Sequence, residues 1–195
     1  YHRSPLDEVL PVSLEMRQEV RKLGLALVVA LDRSGSMAVE VTPGVQKMHL
    51  ANLGTCAAIE LLSPIDSVGV IAVDSAPHEV QPLASAEELA PILARVRRIE
   101  STGGGIYCFS ALSAAARMIE DAPQRQRHIV LFADAADSEE QEGCADLIER
   151  LARAGVTLSV VALGSESDSD AQFLKDSAAA GGGQCYFTTD ATELP

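Results

Sequence analysis

A continuous run of apolar residues is the feature that most constrains how this chain folds. The run spans Leu25 to Leu31, reads LALVVAL and lies between Gly24 and Asp32. An apolar run without polar alternation is typical of a strand that is buried on both faces of a parallel sheet. It is also far too short to span a bilayer. We therefore predict a central strand at residues 25–31, covered by helices on both sides.

Apolar strands alternate with helical patterns along the rest of the chain. The predicted strands are Val68–Val73, Glu79–Leu83, His128–Ala133, Thr157–Leu163 and Cys185–Phe187. Helical spacing appears over about Lys47–Leu62, around Leu112 and Ile119, from Cys144 to Leu151, and over Asp168–Ala180. A capping box at 85–88 is predicted to open a further helix, and one at 138–141 to open the helix of Cys144 to Leu151. This alternation predicts an α/β domain that is doubly wound around a mostly parallel sheet.

The size and composition of the chain favour one domain. It has 195 residues, of which 47% are hydrophobic and only 4% aromatic, so the core must be built from Ala, Val, Leu and Ile. Residues 1–23 fit neither the helical nor the strand spacing of apolar residues. We expect an N-terminal arm or linker there, followed by a single domain at 24–195. Because the chain begins at Tyr1 without an initiator Met, we expect it to be part of a longer protein.

The charge balance narrows the class of partner. Lys and Arg number 15 against 28 Asp and Glu, which gives a net charge of -13. This charge opposes binding to nucleic acid and to acidic lipid surfaces. The four cysteines form no CxxC pair, so we predict that they are small buried residues rather than metal ligands.

Polar side chains follow two of the predicted strands. Asp32, Ser34 and Ser36 alternate directly after the first strand, and Asp134 follows the strand 128–133. Ligands of such folds bind beyond the carboxyl ends of the strands, and carboxylates with hydroxyls supply oxygen ligands for Mg²⁺. We predict a metal site at Asp32, Ser34, Ser36 and Asp134. The alternative is a turn whose side chains cap backbone groups.

A glycine-rich loop, Gly103 to Gly105, precedes the helical pattern around Leu112 and Ile119. It lacks the context of a phosphate-binding motif, so we predict that the glycines serve backbone conformation.

These motifs together resemble a von Willebrand factor type A domain. The resemblance covers roughly residues 24 to 190 and rests on Asp32-Arg-Ser-Gly-Ser36, on the glycine-rich loop before Ala111-Leu112 and on the strand that ends at Asp134. It implies a Rossmann-like fold with six main strands, mostly parallel, and a short antiparallel edge strand at 79–83. It also implies that Asp32, Ser34, Ser36 and Asp134 belong to a metal-ion-dependent adhesion site.

The sequence departs from the family pattern at two positions. Ile106 stands where the family has a metal-binding threonine, and Ala135 replaces the usual glycine after the last aspartate. Because isoleucine offers no oxygen, we predict a partly degenerate site with weak affinity for Mg²⁺, Mn²⁺ or Ca²⁺.

Three functions compete on these residues. The resemblance implies a non-enzymatic interaction module, in which a bound cation completes its shell with an acidic residue of a protein partner. The alternative is a Mg²⁺-dependent phosphotransfer enzyme or receiver that uses Asp32. A third hypothesis is a serine hydrolase that uses Ser34 or Ser36. However, the chain has no GxSxG motif and no histidine late in the sequence that could act as the base.

The location of the protein is not fixed by these residues. The sequence resembles bacterial forms of the domain, which are often part of a larger membrane-anchored protein. We therefore expect an extracytoplasmic location, with any membrane contact made by segments outside this chain.

Overall fold

The computed structural model describes residues 24–136 and 138–189. The predicted arm at 1–23 lies outside the described residues, as do Asp137 and residues 190–195. The domain boundaries at 23 and 195 therefore stay predictions.

A six-stranded sheet forms the centre of the described structure. Its strands are β1 (Leu25–Asp32), β2 (Ser67–Val73), β3 (Pro77–Ser85), β4 (Gln126–Asp134), β5 (Val156–Leu163) and β6 (Gly182–Thr188). They lie in the order β6-β5-β4-β1-β2-β3, and every pair is parallel except β2 with β3. The predicted fold class is confirmed, with β1 in the middle of the sheet and β3 as the antiparallel edge.

Helices cover the two faces of this sheet. They are α1 (Lys47–Glu60), α2 (Leu89–Val96), α3 (Cys108–Ile119), α4 (Cys144–Arg153) and α5 (Ala171–Ala180). Buried residues of α1 and α2 share one core with Leu27, Val29 and Leu31, whereas α3, α4 and α5 share the other with Ala26 and Val28. Consecutive residues of β1 thus enter opposite cores, which is why this strand has no polar alternation. Complete burial of each large aliphatic side chain contributes about 1.5–3 kcal/mol.

Both predicted capping boxes are wrong. Ser85 is the last residue of β3, and α2 begins after Glu88 without a side-chain cap among the described residues. Ser138 pairs with Ile106 in a short ladder, and α4 begins after Gly143. In both cases backbone pairing with a distant segment prevailed over the local capping pattern.

The edge strand is longer than the predicted Glu79–Leu83, since it runs from Pro77 to Ser85. Its pairing with β2 shifts register on both sides of Val70, and Pro82 falls where no paired residue faces it. A proline is tolerated at such an irregularity of an edge strand. Two short ladders were also not predicted: Glu40–Thr42 with Val45–Gln46, and Ile106–Tyr107 with Ser138–Glu139.

The free cysteines mostly follow the prediction. Cys56, Cys108 and Cys144 are buried, and Cys185 is partly exposed. Burial raises the pKa of the Cys108 thiol to about 12 and that of Cys144 to about 11, so both are protonated thiols at neutral pH.

The strand order places a crevice beside β1. The chain leaves β1 through α1 to reach β2 on one side, and it enters β4 on the other side from α3, which covers the opposite face. The carboxyl ends of β1 and β4 therefore flank the point where the winding direction changes. Open α/β sheets bind ligands at this point. Asp32 and Asp134 are the last residues of these two strands.

Candidate functional site

Asp32 is held at the end of β1 by backbone groups. Its side chain is fully buried, Oδ1 accepts a 2.7 Å hydrogen bond from the Ser34 N–H, and Oδ2 accepts a 3.1 Å bond from the Asp134 N–H. Burial raises the pKa of Asp32 to about 6, although the hydrogen bonds from Ser34 and Asp134 act in the opposite direction. A nearby positive charge would be needed to favour the ionised form fully.

The two serines lie side by side in the loop that follows. Ser34 is fully buried, whereas Ser36 is partly exposed in a short 3₁₀ turn, Gly35–Ala38. Their hydroxyl oxygens are 2.9 Å apart and share a hydrogen bond. Ser101 also donates its hydroxyl to the carbonyl of Ser34, which holds this loop against the glycine-rich loop.

Asp134 shares its carboxylate between two donors. Its Oδ1 accepts a 3.1 Å bond from the Ala136 N–H, and its Oδ2 lies 2.8 Å from Nζ of Lys47. The ion pair is largely shielded from solvent, with the Lys47 side chain 16% and the Asp134 side chain 2% exposed. Sequence reasoning missed Lys47, whose only signal was a lysine at the start of a helix.

The structure brings the four predicted ligands together. Asp32 bonds to the backbone of both Ser34 and Asp134, and Ser34 contacts Ser36. Two carboxylates and two hydroxyls are donors that a hard divalent cation such as Mg²⁺ prefers. Within 24–136 and 138–189, no three His, Cys, Asp or Glu side chains form a group that could hold a metal ion, so the hydroxyls are needed to complete such a donor set.

Ile106, which we predicted to stand in place of the family's threonine, lies in the core. Its side chain is fully buried and packs in the cluster that contains Ala133, Ala135 and Cys108. Thr102, the nearest threonine in the sequence, donates its hydroxyl to Asp74 at 3.0 Å instead.

Asp74 is a third aspartate at a strand end, which the sequence analysis did not single out. It follows β2, and its Oδ2 accepts two bonds from Arg33, at 2.9 Å from Nε and 2.7 Å from Nη2. Oδ1 accepts from the Ala76 N–H and lies 3.1 Å from Nε2 of His78. Burial acts to raise the pKa of Asp74, but these hydrogen bonds together hold it well below its usual range.

The glycine-rich loop has the conformational role that was predicted. Gly103 and Gly104 have φ of 94° and 80°, in the left-handed region that favours glycine. The carbonyl of Gly104 accepts a 3.0 Å bond from the Gly35 N–H, so this backbone closes one side of the site.

The structure shows the contacts of the groups that the two enzymatic alternatives would use. Asp32 is covered, and both of its oxygens accept backbone hydrogen bonds. Of the histidines that hydrogen-bond within the described residues, His78 contacts Asp74 and His128 contacts Thr157.

A doubly wound sheet with clustered oxygen donors where its winding direction changes defines a class of α/β ligand-binding domains. The family profile of the von Willebrand factor type A domain matches residues 27–136, more than half of the chain. The chain therefore belongs to the von Willebrand factor type A domain family, whose members typically mediate protein–protein interaction and adhesion. No curated protein matches it in sequence.

Several solved structures share this fold. The hypothetical protein BatB from Bacteroides thetaiotaomicron is 19% identical, with a TM-score of 0.71 over 85% of this chain and 90% of that one. A von Willebrand factor type A protein from Catenulispora acidiphila is 26% identical, with a TM-score of 0.72 over 88% of this chain and 40% of that one. Proximal thread matrix protein 1 from the mussel byssus has a zinc-occupied metal-ion-dependent adhesion site (MIDAS) motif. It is 12% identical, with a TM-score of 0.71 over 88% of this chain and 43% of that one.

The helices of the described residues are all too short or too polar to cross a membrane.

Proposed function

We propose that this domain is a divalent-cation-dependent protein-interaction module and part of a larger bacterial protein. Asp32, Ser34, Ser36 and Asp134 would hold the cation. When bound, the cation would offer an open coordination position to an acidic side chain of a protein partner. Mg²⁺ is the expected metal, with Mn²⁺ or Ca²⁺ as alternatives.

The observation that carries this proposal is that the four residues lie together where the winding direction changes, with Asp32 bonded to the backbone of Ser34 and Asp134 and Ser34 bonded to Ser36. The backbone N–H groups of Ser34 and Asp134 hold the Asp32 carboxylate in place. No side chain is therefore needed to position it. Ser36 is the partly exposed member of the set and marks the side from which a partner would approach. The neighbouring chemistry supports a weak site, since Ile106 contributes only hydrocarbon.

The expected location also belongs to this proposal. A structurally similar chain from Bacteroides fragilis is described as an aerotolerance-related membrane protein, with a TM-score of 0.73 and 17% identity. Another, PilB from Streptococcus sanguinis, is a minor pilin. These likenesses support an extracytoplasmic setting in which other segments provide the membrane anchor.

The experiment is capture of partners from a membrane extract by the immobilised domain, with Mg²⁺ or with EDTA. We expect partners that bind in Mg²⁺ and are released by EDTA, and that are lost with Asp32→Ala. Retention in EDTA would contradict the metal bridge. Generic phosphatase and esterase assays on the same protein test the enzymatic alternatives, and turnover abolished by Asp32→Ala or Ser34→Ala would favour them.

A further inference from the structure

The ammonium group of Lys47 lies where a cation is expected. Its Nζ is 2.8 Å from Oδ2 of Asp134, one of the proposed metal ligands, and the pair is largely withdrawn from water. A lysine ammonium and a divalent cation compete for the same carboxylate oxygen, because each is attracted by its negative charge.

The position of Lys47 in its helix is electrostatically unfavourable by itself. It is the first residue of the 14-residue helix α1, near the positive end of the helix dipole. The described first turn of α1 contains no acidic residue that could offset this charge. Asp134, from a distant strand, is therefore the ion-pair partner that stabilises the ammonium at this place.

The other contacts of the two carboxylates come from the backbone. Asp32 accepts from the N–H groups of Ser34 and Asp134, and Oδ1 of Asp134 accepts from Ala136. These backbone N–H groups cannot withdraw without a shift of the main chain. The Lys47 side chain, in contrast, has a flexible four-carbon stem and can leave by rotation. Asp134 Oδ2 is thus the oxygen that a side-chain movement alone can free.

We infer that Lys47 is a built-in competitor of the divalent cation at this site. Its ammonium occupies Oδ2 of Asp134 until an arriving cation displaces it. The inference rests on the proposed function and deepens it by naming the residue that regulates metal loading. An apparent dissociation constant rises in inverse proportion to the fraction of molecules that can bind. A roughly tenfold preference for the Lys47-bound form would therefore weaken cation binding about tenfold.

A second carboxylate is available to the displaced ammonium. Asp168, in the loop after β5, is partly exposed. Hydrogen bonds from Ser165 lower the pKa of Asp168, and the charge of Lys47 adds to this effect, so the two side chains lie within electrostatic range. Movement of Lys47 away from Asp134 would free the site and leave the ammonium within the field of this second carboxylate.

The test is calorimetric titration of Mg²⁺ into the full chain, its Lys47→Met variant and a matched control, Lys175→Met. Methionine keeps much of the length and apolar stem of lysine without its charge, and Lys47→Gln serves if that variant does not fold. Lys175 pairs with Glu166 at the surface, at 2.7 Å. We expect Lys47→Met to bind Mg²⁺ about tenfold or more tightly than the unmodified chain, and Lys175→Met to bind as the unmodified chain does.

The outcomes separate this inference from the proposed function. Equal affinity of Lys47→Met and the unmodified chain would overturn the competitor role and leave the metal-dependent function standing. Binding by Lys47→Met alone would support the competitor and overturn the metal dependence of the natural domain. If neither protein binds a divalent cation, both fall.

A second measurement does not depend on metal. A double-mutant cycle of Lys47→Met and Asp134→Asn on urea unfolding in EDTA measures the coupling between the two side chains. We expect Lys47→Met to be less stable than the unmodified chain in EDTA, because it leaves a buried carboxylate unpaired. In saturating Mg²⁺ this difference should shrink, because the displaced ammonium no longer adds to the stability of the unmodified chain. Absence of coupling in the cycle would overturn the inference.

Discussion

The backbone N–H of Asp134 donates a 3.1 Å hydrogen bond to Oδ2 of Asp32, although the two residues are 102 positions apart. The bond joins the carboxyl ends of two adjacent parallel strands, whose register pairs Leu31 with Phe132. The relative position of the two aspartates is therefore set by the sheet itself. A ligand at this edge meets carboxylates that the fold has already placed.

Replacement of Asp32 by Ala should abolish divalent-cation binding and leave the chain folded. The lost carboxylate leaves two backbone N–H groups without their acceptor, at a cost of about 1–3 kcal/mol each, but it also removes a buried charge. Calorimetric titration with Mg²⁺ and circular dichroism measure the two effects. Asp146→Ala, an exposed aspartate on α4, is the matched control. Normal metal binding by Asp32→Ala would show that Asp32 only caps the turn.

Replacement of Ile106 by Thr should tighten metal binding. Threonine would place a hydroxyl at the position that we predict to match the family's threonine, and even outer contacts of a metal site change affinity by about 10 to 100-fold. The same change should destabilise the metal-free domain by about 1–3 kcal/mol, because Ile106 is fully buried. Ile106→Val tests volume without the hydroxyl, and it should cost about 0.5–1.5 kcal/mol with no gain in affinity. Unchanged affinity of Ile106→Thr would mean that the family threonine belongs elsewhere.

The contacts of Asp74 should appear in the acid unfolding of the domain. The pKa of this carboxyl is below its usual range in the folded state, so its contribution to stability is present above the unfolded value of 3.8. That contribution is lost as the pH falls through the folded value. Asp74→Asn should lower the free energy of unfolding at pH 7 and flatten its decline below about pH 4. Urea unfolding between pH 7 and pH 2.5 measures the free energy of unfolding of Asp74→Asn and of the unmodified chain. If the two free energies fall in parallel as the pH is lowered, the contacts of Asp74 do not stabilise its ionised form.

Two neighbouring glycines offer a matched test of the loop at the site. Both have positive φ, but a Cβ on Gly104 would lie 2.8 Å from Oγ of Ser75, whereas one on Gly103 would meet nothing within 4 Å. Gly103→Ala should cost about 1–2 kcal/mol from backbone strain alone. Gly104→Ala should cost more, since the Ser75 side chain must also move. Thermal unfolding measures the stability lost by each variant. Equal losses for Gly103→Ala and Gly104→Ala would contradict the close contact with Ser75.

The sequence by itself determined the layered fold and the residues at its edge. The apolar run from Leu25 to Leu31 required burial on both faces, and only helices on both sides of a parallel sheet provide it. The end of that strand then placed Asp32 at the ligand edge, and the repeat of the pattern placed Asp134 there. These conclusions follow from local periodicity, which the tertiary structure did not override.

Contacts between distant segments were decided only by the tertiary structure. The serines of the two predicted capping boxes, Ser85 and Ser138, instead pair in strands, because long-range backbone hydrogen bonds satisfied groups that a local cap would have bonded. Lys47 meets Asp134 across 87 positions, and no pattern in the sequence links a helix start to the end of a later strand. Periodicity reports which face of an element is buried, but the partner of a polar group depends on how the elements pack. The fold could therefore be predicted from the sequence, whereas the pairing of Lys47 with Asp134 could not.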